Sequence, residues 1–161
     1  MSETRNILAL GASGLIGRYV TDDLRTRGFG VIGIARKFST SQRTNALDLE
    51  MPVLEMASHS LSRLLRDCKI DVVVNCLGVL QDGPGGDTRA VHCDFVERLL
   101  QAIRDSGRSV RLIHISIPGA AKDDHTAFST TKRDAERLIA ASGIPYAILR
   151  PISGSSRSAR W

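Results

Sequence analysis

The stretch Gly11-Ala12-Ser13-Gly14-Leu15-Ile16-Gly17 sets the architecture expected of this chain. It directly follows residues 6–10, a short continuous apolar run of the kind that forms a buried strand. It opens residues 14–27, where apolar side chains recur at four-residue spacing, as on one face of an amphipathic helix. The order strand, glycine turn, helix is therefore predicted at the beginning of the chain.

Each glycine of this turn has a mechanical reason. Gly11 permits the tight turn out of the strand, Gly14 lets phosphates approach the backbone, and Gly17 lets the helix pack closely on the sheet. The helix N-terminus offers N–H groups and partial positive charge to a pyrophosphate. A sharp turn without a ligand is the alternative, but the strand–turn–helix context favours a dinucleotide site. The loop residues expected to contact the dinucleotide are Gly11, Ser13, Gly14, Leu15, Ile16 and Gly17.

Strand-like and helical patterns alternate along the rest of the chain. Further strands are predicted at residues 31–35, 44–49, 71–76, 110–115 and 146–149, and further helices at 57–68, 88–106 and 126–141. This alternation is typical of βαβ units, whose right-handed crossovers favour an α/β, doubly wound parallel sheet of Rossmann type. The predicted strand order is 3-2-1-4-5-6, with helices on both faces and the ligand site beyond the carboxyl ends of the strands.

Length and composition predict a single domain. The chain has 161 residues, of which 42% are hydrophobic and 4% aromatic, so it can bury a core within one domain of ordinary size. We assign residues 1–152 to this domain and expect the Ser/Arg-rich residues 153–161 to form a disordered tail. Neither a signal-peptide layout nor an apolar stretch of about 20 residues is present in this sequence. A cytoplasmic protein without a membrane partner is the prediction.

Charge and cysteine content do not point to other classes of partner. The net charge is +5, but the basic residues are scattered and form no run that resembles a nucleic-acid-binding arm. A solvated surface and an anionic cofactor explain the excess of positive charge without nucleic acid. The three cysteines match no metal-ligand spacing, so reduced cysteines and no metal site are expected.

The end of the second strand favours NADP over NAD. Sites specific for NAD place an acidic residue about 20 residues beyond the glycine loop, where it holds the ribose 2′-OH. Here the strand ends Ile34-Ala35-Arg36-Lys37, without an acid. A guanidinium can pair bidentately with a 2′-phosphate, so Arg36 is the predicted contact. The alternative is that Arg36 is an ordinary surface charge, in which case the cofactor could be NAD.

Four motifs in this order resemble the short-chain dehydrogenase/reductase superfamily, in its extended or atypical branch. They are the GxxGxxG loop, Asp48-Leu49, Asn75-Cys76-Leu77-Gly78 and Leu149-Arg150-Pro151. The resemblance implies that Asp48 and Leu49 contact adenine, and that Leu77, Gly78 and Pro151 line the cofactor site. Residues 75–89 and 128–136 are most similar to bacterial relatives of the NAD(P)-binding 39 kDa-type subunit of respiratory complex I.

The same resemblance implies a catalytic Ser, Tyr and Lys, and one of the three is replaced. Ser116 and Lys132 match the family's serine and lysine, and both would also contact the cofactor. The tyrosine position, four residues before Lys132, is Phe128. Phenylalanine cannot exchange a proton with a substrate. His114 and His125 are poor replacements for the tyrosine as a proton donor. We expect His114 to be a packed core residue and His125 to be a surface residue at the start of a helix.

Three functions remain open. The first is the cofactor-binding domain of an atypical reductase with weak or no activity. The second is a non-catalytic NADP sensor, assembly or accessory protein, and the third is an active reductase or epimerase-like enzyme with another proton donor. The chain ends about ten residues after Pro151, where the family continues into a substrate-binding portion. We therefore expect that this portion is absent, that an apolar surface is exposed, and that the chain self-associates into a homodimer. The sequence names no substrate.

Overall fold

Six strands and four α-helices alternate along residues 5–42, 46–83 and 86–151, the part of the chain that the computed structural model describes. The strands are β1 Asn6–Leu10, β2 Gly30–Ala35, β3 Leu49–Glu50, β4 Val72–Asn75, β5 Arg111–Ile115 and β6 Tyr146–Leu149. The helices are α1 Leu15–Thr26, α2 Ser58–Asp67, α3 Phe95–Asp105 and α4 Ala127–Ala140.

The strands form one sheet in the order β3-β2-β1-β4-β5-β6, and every neighbouring pair is parallel. This confirms the predicted Rossmann-type order. Leu10, the last residue of β1, lies opposite Ile34 of β2 and Asn75 of β4. The glycine loop therefore leaves the middle of the edge where the carboxyl ends of all strands meet.

Helices cover both faces of the sheet, as predicted. The larger core joins Leu10 to Leu61 of α2, Leu99 of α3 and Ile139 of α4. The smaller core lies on the opposite face, where Val20 of α1 packs against alternate residues of the central strands. Alternation of side chains along each strand produces the two cores. The site edge is thus held between three helices on one side and one on the other.

Several element bounds differ from the predictions. The third strand, predicted at 44–49, is only Leu49–Glu50. Residues 46–48 precede it without strand pairing, and the side chain of Asp48 accepts from Gly33 N of β2. Pro52, which cannot donate to a ladder, follows shortly after β3; residues 43–45 lie outside the described residues. Short 3₁₀ turns at Val53–Glu55 and Ala121–Asp123 were not predicted. The predicted tail, residues 153–161, also lies outside the described residues.

The helix predicted at 88–106 is already helical at Thr88 and Arg89 and then contains a π-helical turn, Ala90–Asp94, that leads into α3. Three successive residues of this turn, Val91, His92 and Cys93, are buried. A regular α-helix turns by 3.6 residues and does not face three successive side chains inward on one stripe. The wider turn lets all three pack, and no apolar periodicity in the sequence signals it.

The glycine loop is a tight backbone turn tied to β2. The N–H groups of Gly11 and Ala12 donate to the carbonyl of Ile34, at 2.9 and 3.0 Å. Gly11 has a φ of +77°, a conformation that side chains other than glycine rarely adopt. A Cβ atom on Gly17 would lie 2.1 Å from the Gly11 carbonyl oxygen. Helix α1 can therefore start this close to the sheet only because residue 17 lacks a side chain.

We predict that Gly17→Ala lowers the free energy of unfolding by about 1–3 kcal/mol, because the added methyl group must displace backbone atoms. Gly14→Ala is the matched control, since a Cβ there comes only to 3.3 Å from Gly11 O and residue 14 has a φ of −73°. Urea unfolding of both variants measures the difference. Equal losses in the two variants would contradict this account of the loop.

Candidate functional site

A cleft of ≈ 460 Å³ opens at the carboxyl edge of the sheet. Its walls come from the glycine loop, the end of β2, the 3₁₀ turn after β3, and the segment that follows β4. Six of its lining residues were predicted to contact a dinucleotide: Gly11, Ser13, Gly14, Arg36, Leu77 and Gly78. The topology therefore brings together sequence motifs that lie up to about 70 residues apart, as the switch between neighbouring βαβ halves requires.

The first turn of α1 is exposed beside this cleft. Leu15 is 73% and Ile16 is 43% exposed, although both are large apolar side chains. The N–H groups of the first turn of a helix have no partner within the helix. The loop thus offers open backbone donors and an accessible apolar surface at the same place.

Arg36 and Lys37 form a basic corner of the cleft at the end of β2. Both side chains are exposed, so their charges can reach a ligand in the cleft. The following residue turns away, since Phe38 is buried and its N–H donates to Glu50 Oε1 at 2.9 Å. This anchor directs the chain after Lys37 back towards β3.

Asp48 is engaged elsewhere. Its carboxylate accepts a hydrogen bond from Gly33 N at 2.9 Å and forms an ion pair with Arg25 of α1. The side chain is 3% exposed and precedes β3 rather than following it. Leu49 is half-buried in β3 and packs against the larger core. Neither residue is among those that line the cleft, so the adenine contact inferred for the pair stays a prediction.

Lys132 lies buried behind the wall of the cleft. Its ammonium donates to the carbonyls of Leu77 and Ile115, at 3.2 and 3.0 Å, and thereby joins α4 to the ends of β4 and β5. Burial lowers the pKa of Lys132 to about 8. A Cβ atom on Gly78 would come within 3.5 Å of Lys132 Nζ. Gly78 lines the cleft, and it has no side chain to lie against the ammonium.

Ser116 and Phe128 lie near the same lysine. Ser116 N donates to Leu149 O at 2.8 Å, which places the serine at the exit of β5. Its buried hydroxyl makes no hydrogen bond of standard geometry among the described residues. It nevertheless lies near enough to Glu136 to help lower the pKa of that carboxyl group. Phe128 is half-buried. Its ring packs edge-on against His92, with centroids 5.5 Å apart, so no proton-exchanging group occupies position 128.

His92, which was not predicted from the sequence, lies 1% exposed beside the cleft wall. Its Nδ1 is 2.8 Å from Thr131 Oγ1 and its Nε2 accepts from Val79 N at 3.2 Å. A histidine within an apolar helical stretch gives no pattern that distinguishes a wall-holding residue from an ordinary packed one. His114 and His125 are buried and exposed, respectively, as expected.

A second group of residues that the sequence did not reveal holds the loop after β5. Arg133 is buried and donates to Asp124, to Glu136, and to three carbonyl oxygens: those of Ile117, Pro118 and Gly119, at 3.3, 2.9 and 2.8 Å. Glu136 in turn accepts two hydrogen bonds from Arg150, at 3.0 and 2.6 Å. This network ties α4 to the end of β6, where the exposed Pro151 follows.

The ion pairs of this network outweigh the cost of burying the carboxylate. Burial alone would raise the pKa of Glu136, but the guanidinium groups of Arg150 and Arg133 lower it to about 2. The carboxylate is therefore ionised at neutral pH. Arg150, which the sequence shows only as part of a motif, therefore joins the end of β6 to the buried carboxylate of Glu136.

The family comparison agrees with this geometry. A family model described as NAD(P)H-binding matches residues 11–156. The chloroplastic divinyl chlorophyllide a 8-vinyl-reductase of Cucumis sativus is 32% identical over 91% of this chain, which spans 38% of that protein. No described helix is long and apolar enough to cross a membrane.

Solved structures of similar fold include a UDP-glucose 4-epimerase and a short-chain dehydrogenase. The enzyme WbmH of Bordetella bronchiseptica, in complex with NAD⁺, has a TM-score of 0.74 at 16% identity, covering 92% of this chain and 56% of that one. A UDP-glucose 4-epimerase of Thermotoga maritima has a TM-score of 0.74 at 20% identity, covering 90% and 54%. A short-chain dehydrogenase of Streptomyces avermitilis has a TM-score of 0.69 at 25% identity, covering 94% and 66%.

The low pKa of Glu136 predicts a specific pH dependence of stability. Because the folded-state pKa lies below the ordinary value of 4.5, the carboxylate stabilises the fold above that value, and this contribution is lost as the pH falls towards 2. We expect Glu136→Gln to lower stability at pH 7 and to flatten its decline between pH 5 and pH 2. Urea unfolding across this range measures both effects.

Asp134→Asn is the matched control on the same helix. Asp134 pairs with Arg137, whose side chain is 68% exposed, and exposed pairs contribute only about 0–1 kcal/mol. A Glu136→Gln variant that retains the wild-type pH dependence would show that the buried network does not stabilise the fold in this way.

Proposed function

The chain belongs to the NAD(P)H-binding family, and from that premise we propose that it is an NADP-binding domain of an atypical short-chain dehydrogenase/reductase with weak or no oxidoreductase activity of its own. The observation that carries the proposal is the cleft itself, where the glycine loop and the basic corner at Arg36 open onto the same space. The intact parts of the site serve binding, whereas Phe128 stands where the family exchanges a proton.

The pyrophosphate would lie against the backbone of the glycine loop and the N-terminus of α1. The phosphates would come closest to the backbone at Gly14, because a side chain at that residue would project towards them. The free N–H groups of the first helical turn and the helix dipole both favour an anion at this position. Leu77, Gly78 and Pro151 would border the rest of the cofactor, and the exposed Ile16 would contact its apolar surfaces.

The 2′-phosphate of NADP would lie at the basic corner. Arg36 and Lys37 are exposed at the end of β2 and line the cleft. The two acidic side chains that follow next along the chain have partners elsewhere: Asp48 pairs with Arg25, and Glu50 accepts from Phe38 N. An arginine–phosphate pair is strong and geometrically specific, so the charge distribution supports NADP over NAD.

Lys132 would hold the nicotinamide ribose with a part of its donor capacity. An ammonium has three N–H donors, and two of them reach the carbonyls of Leu77 and Ile115. The third can reach a ribose hydroxyl past Gly78, which lacks a side chain. When bound, a nicotinamide dinucleotide supplies hydride-transfer chemistry. The protein's own part is to orient the ring through Lys132 and the Ser116 end of β5.

Proton transfer to a carbonyl oxygen has no donor at the family position. Phe128 offers none, and its neighbour His92 has both ring nitrogens in hydrogen bonds. This supports a binding, sensing or accessory role, in which cofactor occupancy rather than turnover is the output. The homodimer, the cytoplasmic location and the likeness to the complex I subunit stay predictions.

A second candidate is the reduction of a carbon–carbon double bond. The observation that favours it is the 32% identity to a relative whose name describes reduction of a vinyl group. Such a reaction delivers hydride to one carbon and a proton to the other, so it does not require a phenol that protonates a carbonyl oxygen. This chain spans 38% of that relative, and the substrate-selecting residues would come from outside the described cleft.

Arg36→Glu should reverse the cofactor preference. We expect the affinity for NADPH to fall by about 10- to 100-fold, because a charge-assisted pair is replaced by repulsion, while the affinity for NADH holds or rises. Titration calorimetry with both dinucleotides gives the ratio. Arg63→Glu, an exposed arginine of α2, is the control for net charge. An unchanged NADPH/NADH ratio in Arg36→Glu would contradict the assignment of the 2′-phosphate.

A carbonyl panel separates binding from the usual reductase chemistry. We expect wild-type protein to oxidise NADPH no faster than the Lys132→Met variant with aldehydes and ketones, since position 128 supplies no proton. Absorbance at the NADPH band measures the rate. Carbonyl-dependent turnover that Lys132→Met abolishes would overturn this account, and turnover confined to conjugated alkenes would support the second candidate.

A further inference from the structure

The segment after β4, residues 77–79, forms one wall of the cleft and is held from behind at three points. Leu77 N donates to Asn75 Oδ1 at 3.1 Å, and Leu77 O accepts from Lys132 Nζ at 3.2 Å. The third anchor is Val79 N, which donates to His92 Nε2 at 3.2 Å. All three wall residues line the cleft, so the position of this backbone sets the shape of the space available to a ligand.

The hydrogen bonds around His92 define its tautomer. Thr131 Oγ1 donates its one proton to Ala127 O at 2.7 Å. The 2.8 Å contact between Thr131 Oγ1 and His92 Nδ1 therefore requires the proton on Nδ1. This leaves the Nε2 lone pair free to accept from Val79 N. Threonine on α4 thus orients the imidazole, and the imidazole orients the wall.

The surroundings of His92 keep the imidazole neutral. Burial and the nearby Lys132 charge lower its pKa to about 4, although Asp82 opposes the shift. His114 on β5 is the other titratable group coupled to this ring, and burial lowers its pKa to about 3. Both rings are therefore uncharged near neutral pH. The lone pair of Nε2 is therefore available as an acceptor near neutral pH.

The π-helical turn at Ala90–Asp94 gives the ring its place. Insertion of a wider turn before α3 directs His92 inward between Val91 and Cys93, all three buried. Such turns are rare and are found often at functional sites. The ring also contacts Phe128, so the replaced catalytic position packs against the same residue.

We propose that His92 is a positioning residue of the dinucleotide cleft, which holds the Val79 amide and with it the wall formed by residues 77–79. The inference rests on the proposed function, because the wall matters only if the cleft binds a dinucleotide. His92 acts through the backbone and does not itself contact the cofactor. Its contribution is the single acceptor atom Nε2, rather than the bulk of the ring.

Two amide substitutions separate the acceptor from the bulk. In His92→Gln, the side-chain amide oxygen is as many bonds from Cβ as Nε2 is in histidine, so it can accept from Val79 N. In His92→Asn, the amide atoms are as many bonds from Cβ as Nδ1 is in histidine, so they can reach Thr131 but not Val79 N. Both lose the ring contact with Phe128, so they form a matched pair. We expect the Kd for NADPH to rise about tenfold in His92→Asn, which leaves an amide without its partner, and to stay within about threefold of wild type in His92→Gln.

Hydrogen exchange of the Val79 amide gives a readout that needs no cofactor. We expect protection in wild type and in His92→Gln, and its loss in His92→Asn. Equal NADPH affinity or equal Val79 protection in the two variants would overturn the role of Nε2. If wild-type protein binds neither NADPH nor NADH, the proposed function fails instead, and the His92 proposal fails with it as a statement about a cofactor site.

Discussion

The close approach of helix α1 to the turn after β1 is the contact on which the rest of the site depends. A side chain at Gly17 would overlap the Gly11 carbonyl, 2.1 Å away, so backbone packs directly on backbone. Gly11 itself is bound to the end of β2 through Ile34. Strand, turn and helix are thereby fixed as one unit, and the N-terminus of α1 points into the edge where the parallel strands end.

The wall after β4 and the neighbouring loop after β5 are held by buried polar groups. Lys132 joins the ends of β4 and β5, His92 holds the Val79 amide, and Arg133 gathers three carbonyls of the loop after β5. Buried donors and acceptors are costly unless paired, so each pairing specifies one backbone position. Lys132 belongs to this scaffold as well as to the proposed cofactor contacts, which explains why it can persist beside Phe128.

Much of the fold and part of the site follow from local patterns. Apolar runs, helical periodicity and the glycine spacing predicted the elements, because these signals lie within one element and its neighbours. The strand order then followed from the right-handed crossovers of βαβ units. Side-chain pairings across elements were not predictable in the same way: the ion pair of Asp48 with Arg25, and the pairing of His92 with Val79 across two segments, depend on three-dimensional placement. The short β3 shows the same limit, since its length depends on pairing with β2.

Titration of the wild-type protein with NADPH and NADH measures whether a dinucleotide binds at the carboxyl edge of the sheet. We expect saturable binding of one dinucleotide per chain, with NADPH bound at least about tenfold more tightly than NADH because of its additional phosphate–guanidinium pair. Absence of measurable affinity for both dinucleotides would contradict this expectation.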